Sequence, residues 1–371
     1  MKFTVNSLEL QRALAKVSGV LPSKSTMPIL ETMLLSVSGG ILTVTGTDLD
    51  TSLTVSLGVS NGSDGTVAVP GRRFADTVRA LPDVALTFDA DTGNQRMTLK
   101  TSTGTYSLTG ESAAEFPGHA EFKGSNDFSI DTTLLKRLIH QTAFAVSGDE
   151  LRPAMMGVLL QSKGDDLRAV STDGHRLVRY TITLPKRTVL AKDIIVPVKA
   201  LNLVSKSLDG KECRVSVSDT HVRFQADSTV VVSRLIDEAY PNYESVIPQD
   251  NNRVMSVSRE SMISSLRRVG LYASATTHQI RFGVAEGILT VAAQDIDFGG
   301  EAKETMPCEY DGEPLEIGFN ATYVTDILAH LDADKATFKF SGPTRAGIVV
   351  PDAPKENEEV LMLVMPVRLT A

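Results

Sequence analysis

One pattern occurs three times along the chain, and this repeat limits the possible folds more than any other feature. Each copy opens on a short alternating run, beginning at Phe3, Phe128 and Met255, so the copies are offset by 125 and 127 residues. An aspartate follows Thr or Gln in every copy, at Asp48, Asp173 and Asp295. An apolar residue followed by proline marks the end of each copy, at Pro117, Pro241 and Pro366. A period of this length is that of a whole domain rather than of a solenoid repeat.

Each copy is predicted to hold two helices and two sets of strands, which gives an α+β fold with mainly antiparallel strands. Apolar periodicity predicts the first helices at about 7–18, 132–142 and 259–269. The second helices are expected at about 72–81, 199–208 and 320–331. β-Branched runs such as 41–45 predict strands, and a hairpin such as 85–108 is expected to close each copy. The predicted domains span residues 1–120, 128–247 and 254–371.

Charge is distributed unevenly between the helices and the rest of the chain. The chain carries a net charge of −8, which by itself argues against binding a polyanion. The six helix segments nevertheless contain twelve Lys or Arg and four Asp or Glu, a net charge of +8. Charged helix faces are most often simply solvated. Basic residues confined to helices in an acidic protein also suit one basic surface for a polyanion.

Several functional classes find no support in the sequence. No stretch approaches the ~18 unbroken apolar residues of a membrane helix, and the first residues lack the apolar segment of a secretory signal. Cys213 and Cys308 show no metal-binding spacing, so two reduced thiols in a cytoplasmic protein are expected. No nucleotide-binding, zinc-protease or kinase motif is present in its required context, and neither cofactor nor metal is expected. The repeated aspartates are interpreted as turn formers rather than as catalytic carboxylates.

Two segments belong to single copies and are therefore the better functional candidates. After the shared Thr-Asp, the middle copy alone has Gly174-His175-Arg176, which offers backbone access, an imidazole and a fork of guanidinium donors. The chain also ends on an apolar tail, 365–369, that must lie against other residues. An apolar groove with a few Arg and His donors suits a short peptide better than a reacting substrate.

These residues resemble the β sliding clamp family of bacterial DNA polymerase III over the whole chain. The most specific marks are 169–177, which reads AVSTDGHRL, and the Met-Pro-x-Arg-Leu motif at 365–369. The Met1-Lys2-Phe3 start and Tyr240-Pro241-Asn242-Tyr243 agree with the same family. The resemblance implies three repeated DNA-clamp domains per chain. It further implies that two chains close head to tail into a homodimeric ring, with helices lining the bore and sheets outside.

The resemblance also implies three groups of site residues. The partner-peptide pocket is expected at Met155, Thr172, Gly174, His175, Arg176, Leu177, Pro241, Val246, Ala346, Val364, Met365, Pro366, Val367, Arg368 and Leu369. Contacts with DNA are expected at Lys24, Arg72, Arg73, Arg137, Arg152 and Lys199. The dimer interface is expected to join Arg73, Arg96, Tyr106 and Leu108 of one chain to Leu271, Tyr272, Glu301 and Glu304 of the other.

The function that this resemblance implies is that of a non-enzymatic processivity factor. The ring would encircle duplex DNA without sequence preference and tether the polymerase, the clamp loader and repair proteins through short peptides. Two alternatives from other classes remain at this stage. One is a peptide-binding scaffold that does not encircle DNA, and the other is a hydrolase that uses Asp173 and His175.

Overall fold

The protein is described by a computed structural model that covers residues 1–91, 93–118, 126–184, 190–296 and 298–369. The predicted ends of the first and third domains, at residues 120 and 371, lie outside these ranges. Within them, no helix has the length and apolar character needed to cross a bilayer.

The three copies contain the same succession of helices and strands, except that the first has one additional strand, β5 (Ser60–Ser63). The first copy has β1 (Lys2–Asn6), α1 (Ser7–Ser18), β2 (Thr32–Ser38), β3 (Ile41–Thr47), β4 (Thr51–Gly58), β5 (Ser60–Ser63), β6 (Gly65–Pro70), α2 (Gly71–Arg79), β7 (Ala85–Asp91), β8 (Arg96–Lys100) and β9 (Thr105–Thr109). The second has β10 (Asn126–Asp131), α3 (Thr132–Thr142), β11 (Gly157–Lys163), β12 (Asp166–Thr172), β13 (Arg176–Thr183), β14 (Ile194–Pro197), α4 (Val198–Ser207), β15 (Glu212–Val217), β16 (His221–Ala226) and β17 (Thr229–Arg234). The third has β18 (Arg253–Ser258), α5 (Arg259–Val269), β19 (Gln279–Ala285), β20 (Ile288–Asp295), β21 (Gly300–Pro307), β22 (Leu315–Asn320), α6 (Ala321–His330), β23 (Lys335–Phe340), β24 (Gly347–Pro351) and β25 (Glu358–Val364).

The six predicted helices are confirmed, three at the predicted bounds and three within two residues of them. Local sequence explains where they begin. Asn6 accepts hydrogen bonds from the backbone N–H of Leu8 at 2.8 Å and of Glu9 at 3.3 Å, which satisfies two free donors of α1. Asn320 caps α6 in the same way, and the Ser258 hydroxyl caps α5. Polar residues that precede an apolar periodic run therefore fix these helix starts.

The chain folds into two compact units, residues 1–136 with 199–235 and residues 137–198 with 236–371. The first unit holds a five-stranded sheet in the order β5-β1-β7-β8-β9 and an eight-stranded sheet in the order β10-β15-β16-β17-β4-β3-β2-β6. Every strand pair is antiparallel. The buried side of α1 includes Leu10 and Leu14, and Phe3 stacks on Phe88 with ring centroids 4.8 Å apart.

The second unit holds an eight-stranded sheet in the order β14-β11-β12-β13-β25-β24-β23-β18 and a four-stranded sheet in the order β21-β20-β19-β22. Its main core packs α5 and α6 against the sheets. Met255, Leu266, Phe282, Phe319 and Phe338 are among the fully buried members of this core. Burying an apolar side chain of this size contributes about 1.5–3 kcal/mol, so this core is a main source of stability in the unit.

Each eight-stranded sheet joins two copies of the repeat through one antiparallel strand pair. In the first unit β4 of the first copy pairs with β17 of the second copy. In the second unit β13 of the second copy pairs with β25 of the third. Both junctions therefore join the fourth strand of one copy to the last strand of the next copy.

Two predictions about the ends of the copies need correction. The segment 85–108 is a three-stranded meander of β7, β8 and β9 rather than a hairpin. The third Pro mark is also not equivalent to the other two. Pro117 and Pro241 lie eight and seven residues beyond the last strand of their copies, whereas Pro366 lies two residues beyond β25. The apolar-Pro pairs recur at nearly constant spacing along the chain, but the third lies much closer to the end of its last strand than the other two.

Candidate functional site

In the first copy, β3 turns into β4 through a hydrogen-bonded corner, Thr47–Thr51, here called corner 1. The Thr47 hydroxyl donates to the Thr51 carbonyl at 3.0 Å, and the Thr51 N–H donates to Asp48 Oδ1 at 2.7 Å. A side-chain carboxylate that accepts from a backbone N–H a few residues ahead is an Asx turn. The prediction that Asp48 forms a turn is confirmed.

The middle copy has the same arrangement in corner 2, Thr172–Arg176. The Thr172 hydroxyl donates to the Arg176 carbonyl at 2.7 Å. Asp173 Oδ1 accepts from the N–H groups of His175 at 2.8 Å and Arg176 at 2.9 Å. In corner 3, Asp295–Gly300 in the third copy, Asp295 Oδ1 accepts from the Phe298 N–H at 3.2 Å. All three repeated aspartates are therefore turn formers, as the repeat predicted.

Gly174 suits corner 2 because of its backbone conformation and because a side chain there would have little room. Gly174 has φ +92°, and the equivalent Leu49 in corner 1 has φ +83°. A leucine in this left-handed region stores strain of about 1–3 kcal/mol, which glycine avoids. A Cβ on Gly174 would lie 3.1 Å from Arg152 Nη1 and 3.7 Å from Met155 Cε. Glycine therefore lets the Arg152 side chain approach the corner.

Arg176 is buried and fully engaged within the chain. Its guanidinium pairs with Asp173 at 3.1 Å and Asp326 at 2.6 Å, and donates to the Phe144 carbonyl at 2.9 Å. It also lies 5.2 Å from the ring centroid of Phe144 and 5.0 Å from that of Tyr323. The prediction that Arg176 offers an open fork of donors is therefore wrong. Its guanidinium instead fixes corner 2 to α6.

His175 presents the exposed face of corner 2. Its ring stacks on Tyr323 of α6, with centroids 5.6 Å apart and planes inclined by 16°. Its carbonyl accepts a hydrogen bond from the Met365 N–H at 2.8 Å, which places the start of the chain's tail beside the corner. Met365 remains 41% exposed. Corner 2, α6 and the tail thus form one continuous surface.

The rest of the tail lies along β22. The Val367 N–H donates to the Gly318 carbonyl at 2.8 Å. A Cβ on Gly318 would lie only 2.5 Å from the Val367 carbonyl oxygen and 2.8 Å from Leu369 Cδ2. Glycine at this position therefore permits the close approach that docks the tail. Arg368 stays exposed, so it is an available guanidinium at this surface.

Two of the predicted peptide-pocket residues belong to a small apolar cluster of the second unit. Leu177 and Ala346 are buried in it together with Tyr243 and Leu363. Val364, opposite Arg176 in the β13–β25 pair, is instead buried in the main core of the unit. Pro241 and Val246 are exposed on the segment that contains Tyr243. We call this surface, from corner 2 across the cluster to the tail, the groove.

The predicted DNA contacts differ in how free their charges are. Lys24, Arg72 and Arg73 are exposed. Lys199 is 65% exposed but forms an ion pair with Asp48 of corner 1. The six helices keep their net charge of +8 within the observed bounds.

Two predicted DNA contacts are engaged by neighbouring groups. Arg137 pairs with Asp332 at 2.8 Å and Glu358 at 3.3 Å, so its charge is largely neutralised. This geometry argues against Arg137 as a DNA contact. Arg152 pairs with Asp149 at 2.8 Å and donates to the Asp173 carbonyl at 3.2 Å, which places it at the edge of the groove.

Four of the eight predicted interface residues lie on two strands that end their sheets. Tyr106 and Leu108 are on β9, and Glu301 and Glu304 are on β21. Leu271 and Tyr272 precede β19 and are 82% and 46% exposed. Arg73 and Arg96, on α2 and β8, are exposed as well.

Glu304 already has a partner within its own chain. Nε and Nη2 of Arg268 donate to its two carboxylate oxygens, each at 2.7 Å. These hydrogen bonds lower the pKa of Glu304 to about 2. The expected pairing of Glu304 with Arg73 or Arg96 of another chain would have to compete with this bidentate ion pair, which leaves Glu301 as the freer acid.

Comparisons with known proteins agree with this geometry. Models of the DNA polymerase III beta subunit match in order, the N-terminal domain at residues 1–120, the central domain at 129–242 and the C-terminal domain at 244–368. The chain belongs to the DNA polymerase III beta subunit family. The beta sliding clamp of Caulobacter vibrioides is 31% identical over 98% of this chain and 99% of its own length. That of Escherichia coli K12 is 29% identical over the full length of both.

Solved structures of this family superpose closely on the chain. The sliding clamp of Bartonella birtlesii, solved bound to griselimycin, gives a TM-score of 0.94 at 29% identity, with both chains fully covered. The clamp of Pseudomonas aeruginosa, also solved bound to griselimycin, gives a TM-score of 0.93 at 30% identity with the same coverage. The predicted fold of three repeated clamp domains is therefore confirmed.

Membership of the beta subunit family also answers the enzyme alternative. The family is a non-catalytic part of the polymerase, and the geometry of corner 2 agrees with this. Asp173 accepts hydrogen bonds from its own turn and from Arg176, while the His175 ring stacks on Tyr323. Among the described residues, no group of three or more His, Cys, Asp or Glu side chains could hold a metal ion.

Sequence reasoning missed several residues that shape the groove of this family member. Tyr323, Asp326 and Phe144 position His175 and Arg176, yet only their three-dimensional contacts reveal this role. Asn251 donates to the Ala346 carbonyl at 2.9 Å and lines a cavity of about 460 Å³ that borders the apolar cluster. One sequence feature could have pointed to this role of α6. Asp326 is the sole charged residue of that helix, whereas the equivalent helices of the other copies are basic.

Proposed function

We propose that two copies of this chain close head to tail into a ring around duplex DNA and tether replication and repair proteins through the groove. The observation that carries the ring is the repeated strand junction. β4 pairs with β17, and β13 pairs with β25, so the same kind of edge is joined twice within the chain. One fourth strand and one last strand remain without such a partner, each at the end of its sheet. They are β21 in the third copy and β9 in the first.

Within the described residues, β9 and β21 each end a sheet, so no third junction of this kind is made inside the chain. The third junction forms between two chains, and two such contacts close a symmetric dimer with no free edge. Pairing also protects strand edges that otherwise invite aggregation. The three domains, spanning residues 1–120, 128–247 and 254–371, would then appear twice around the ring.

The internal junctions support a particular register for the third one. Val232 pairs with Ser52, four residues before the Ile236 N–H donates to the Ile195 carbonyl, and Leu363 pairs with Leu177, four residues before the Val367 N–H donates to the Gly318 carbonyl. The equivalent position on β21 is Glu301, which pairs with Gln294. On β9 it is Ser107, four residues before the bridge from Glu111 to Ala68. Glu301 therefore faces Ser107 of the second chain, which brings Leu108 to Gly300, beside Tyr272.

The basic helices supply the surface for DNA. Their net charge of +8 in a chain of −8 is the expected electrostatic footprint for phosphates. Retention by a closed ring is topological, so phosphate contacts need only be weak and sequence-independent. Exposed Lys24, Arg72 and Lys199 suit such contacts better than Arg137, whose charge is already paired.

The groove supplies the tether. Met365 and Val246 present apolar surface, and His175 and Arg368 add polar edges that a short peptide from the polymerase, the clamp loader or a repair protein can use. Tethering raises the effective concentration of the bound enzyme at the template without a new catalytic group. A clamp on chromosomal DNA works in the cytoplasm, and the free thiols of Cys213 and Cys308 agree with that compartment.

The decisive experiment loads the protein onto a nicked circular plasmid with its loader and then linearises the plasmid. A topological ring slides off the free ends, so bound protein should be lost after cutting. The matched control carries tightly bound proteins that block both ends, and there the clamp should be retained. Retention on unblocked linear DNA, or a mass of 39.9 kDa rather than twice that value by light scattering, would contradict the ring.

A further inference from the structure

Corner 3 differs from its two siblings in length and in what it exposes. Asp295 pairs with Gly300 beyond the Gln294–Glu301 pair, whereas no pair follows Thr172–Leu177, so the span between these equivalent pairs is two residues longer at corner 3. Ile296 and Phe298 on this loop are 79% and 88% exposed. A pair of large apolar side chains this exposed on one short loop marks an interaction surface.

The backbone of Phe298 is held within the turn. The Phe298 N–H donates to Asp295 Oδ1 at 3.2 Å, and Gly299 turns the chain with φ +71°. A Cβ on the next residue, Gly300, would lie 3.4 Å from Tyr272, an exposed residue of the proposed interface. The apolar loop is therefore continuous with the surface that β21 offers to a second chain.

The other two corners show what covers such a loop. At corner 1, Asp48 pairs with Lys199, the second residue of α4 in the following copy. At corner 2, His175 stacks on Tyr323, the third residue of α6 in the following copy. In both places the start of the neighbouring copy's second helix lies over the corner, next to the strand junction.

From these contacts we propose that the start of α2 in a second chain covers corner 3. Its Arg72 and Arg73 would pack against Phe298 and Ile296. This inference rests on the proposed ring. The second and third residues of α2 are Arg72 and Arg73, both exposed and equivalent in position to Lys199 and Tyr323. Guanidinium groups pack favourably on aromatic rings, and their aliphatic stems cover apolar surface.

Corner 3 would then make an apolar contact across the dimer interface. The other two corners make an ion pair or a ring stack at the equivalent place. Since Glu304 is held by Arg268 of its own chain, ion pairs across the junction are fewer than the interface charges suggest. Apolar packing is screened little by salt, unlike exposed ion pairs. The contact also places Arg72 and Arg73 at the interface, where Arg72 lies beside the surface proposed for DNA.

Dimer affinity tests the contact directly. Phe298→Ser should raise the dimer dissociation constant about tenfold for each interface, or about a hundredfold for a ring closed by two. The matched control is Leu49→Ser, which removes an exposed apolar residue from the equivalent loop of corner 1 and should leave the dimer unchanged. Sedimentation over a dilution series measures both variants, and an unchanged dimer for Phe298→Ser would overturn the proposal.

Engineered disulfides separate this proposal from the ring itself. Phe298→Cys combined with Arg73→Cys should form covalent dimers on mild oxidation, whereas Leu49→Cys with Arg73→Cys should not. Ser107→Cys with Glu301→Cys reports the strand pairing alone, since facing residues of antiparallel strands lie within disulfide range. A cross-link at 107 and 301 without one at 298 and 73 overturns only the loop contact. Failure of both pairs overturns the ring and the loop contact together.

Discussion

Corners 1 and 2 are closed by the same hydrogen bonds between side chains and backbone, but they present different side chains to solvent. Each uses a Thr hydroxyl and an Asp carboxylate to close the turn. Corner 1 places the exposed Leu49 at positive φ and holds Lys199 through a solvent-facing ion pair. Corner 2 has Gly174 at the same point and buries the charge of Arg176 between two rings.

The difference shows how a repeated scaffold gains a binding surface. Removing one side chain at Gly174 makes room for Arg152, and anchoring Arg176 below the surface leaves His175 and Met365 exposed above it. The shared part of the corner provides the turn. The residues found in one copy alone determine what that turn presents to solvent.

The largest expected difference between the corners concerns their charged residues. Arg176→Ala leaves Asp173 and Asp326 without their buried partner, so we expect a loss of about 3–5 kcal/mol in the free energy of unfolding. Lys199→Ala removes only an exposed ion pair from corner 1, and its cost should stay below about 1 kcal/mol. Urea unfolding of the two variants measures both values.

Arg176→Met, which keeps much of the side-chain volume, distinguishes charge from packing in this test. If it unfolds like the wild type, the ion pairs add no net stability and the packing of the side chain carries the effect. Equal losses for Arg176→Ala and Lys199→Ala would refute the contrast between a buried and an exposed corner.

Sequence reasoning reached the scaffold more easily than the chemistry of corner 2. Helix bounds and the turn role of Asp48 follow from local patterns, because caps and Asx turns involve residues a few positions apart. The burial of Arg176 depends on Asp326, 150 residues away, and no local pattern reports that contact. Pro366 misled for a related reason, since spacing along the chain does not reveal where a strand ends.

The next expected effect concerns the tail beside corner 2. Met365→Ala combined with Leu369→Ala removes apolar surface from the groove, so peptide affinity should fall by about 10- to 100-fold. Polymerase stimulation should be lost, while the dimer, which does not use these residues, should persist. Fluorescence anisotropy with a labelled clamp-binding peptide measures the first effect, and light scattering measures the second. Unchanged peptide affinity would rule out the groove as the tether.

Exchanging the residues at positive φ should have smaller and opposite effects at the two corners. Leu49→Gly relieves a left-handed leucine and should stabilise the protein by up to about 1 kcal/mol, although added backbone freedom in the unfolded chain offsets part of this. Gly174→Ala should destabilise by about 1 kcal/mol and also weaken peptide binding, because its Cβ would crowd Arg152. Thermal unfolding and anisotropy test both, and equal effects on peptide binding would contradict the distinction.

The smallest expected difference is a response to acid at corner 2 alone. His330 stacks on Phe144 with centroids 3.9 Å apart and contacts the Asp326 carbonyl through Nδ1 at 2.8 Å, so it packs against two residues that hold Arg176. Burial lowers the pKa of His330 below its usual 6.5, and the charges of His140 and Arg176 act in the same direction. Since the unfolded chain then binds the proton more readily, this contribution to stability is complete above pH 6.5 and declines as the pH falls towards the folded pKa.

Peptide affinity should therefore weaken between pH 7.5 and 5.5 in the wild type and less so in His330→Gln, measured with the same peptide at each pH. His221 provides the matched control, because burial lowers its pKa too but it lies on β16 in the other unit. His221→Gln should keep the wild-type decline in affinity even where it changes stability. A decline that survives in His330→Gln would mean that the groove does not sense the protonation of this ring, and that Asp326 holds Arg176 regardless of the charge beside it.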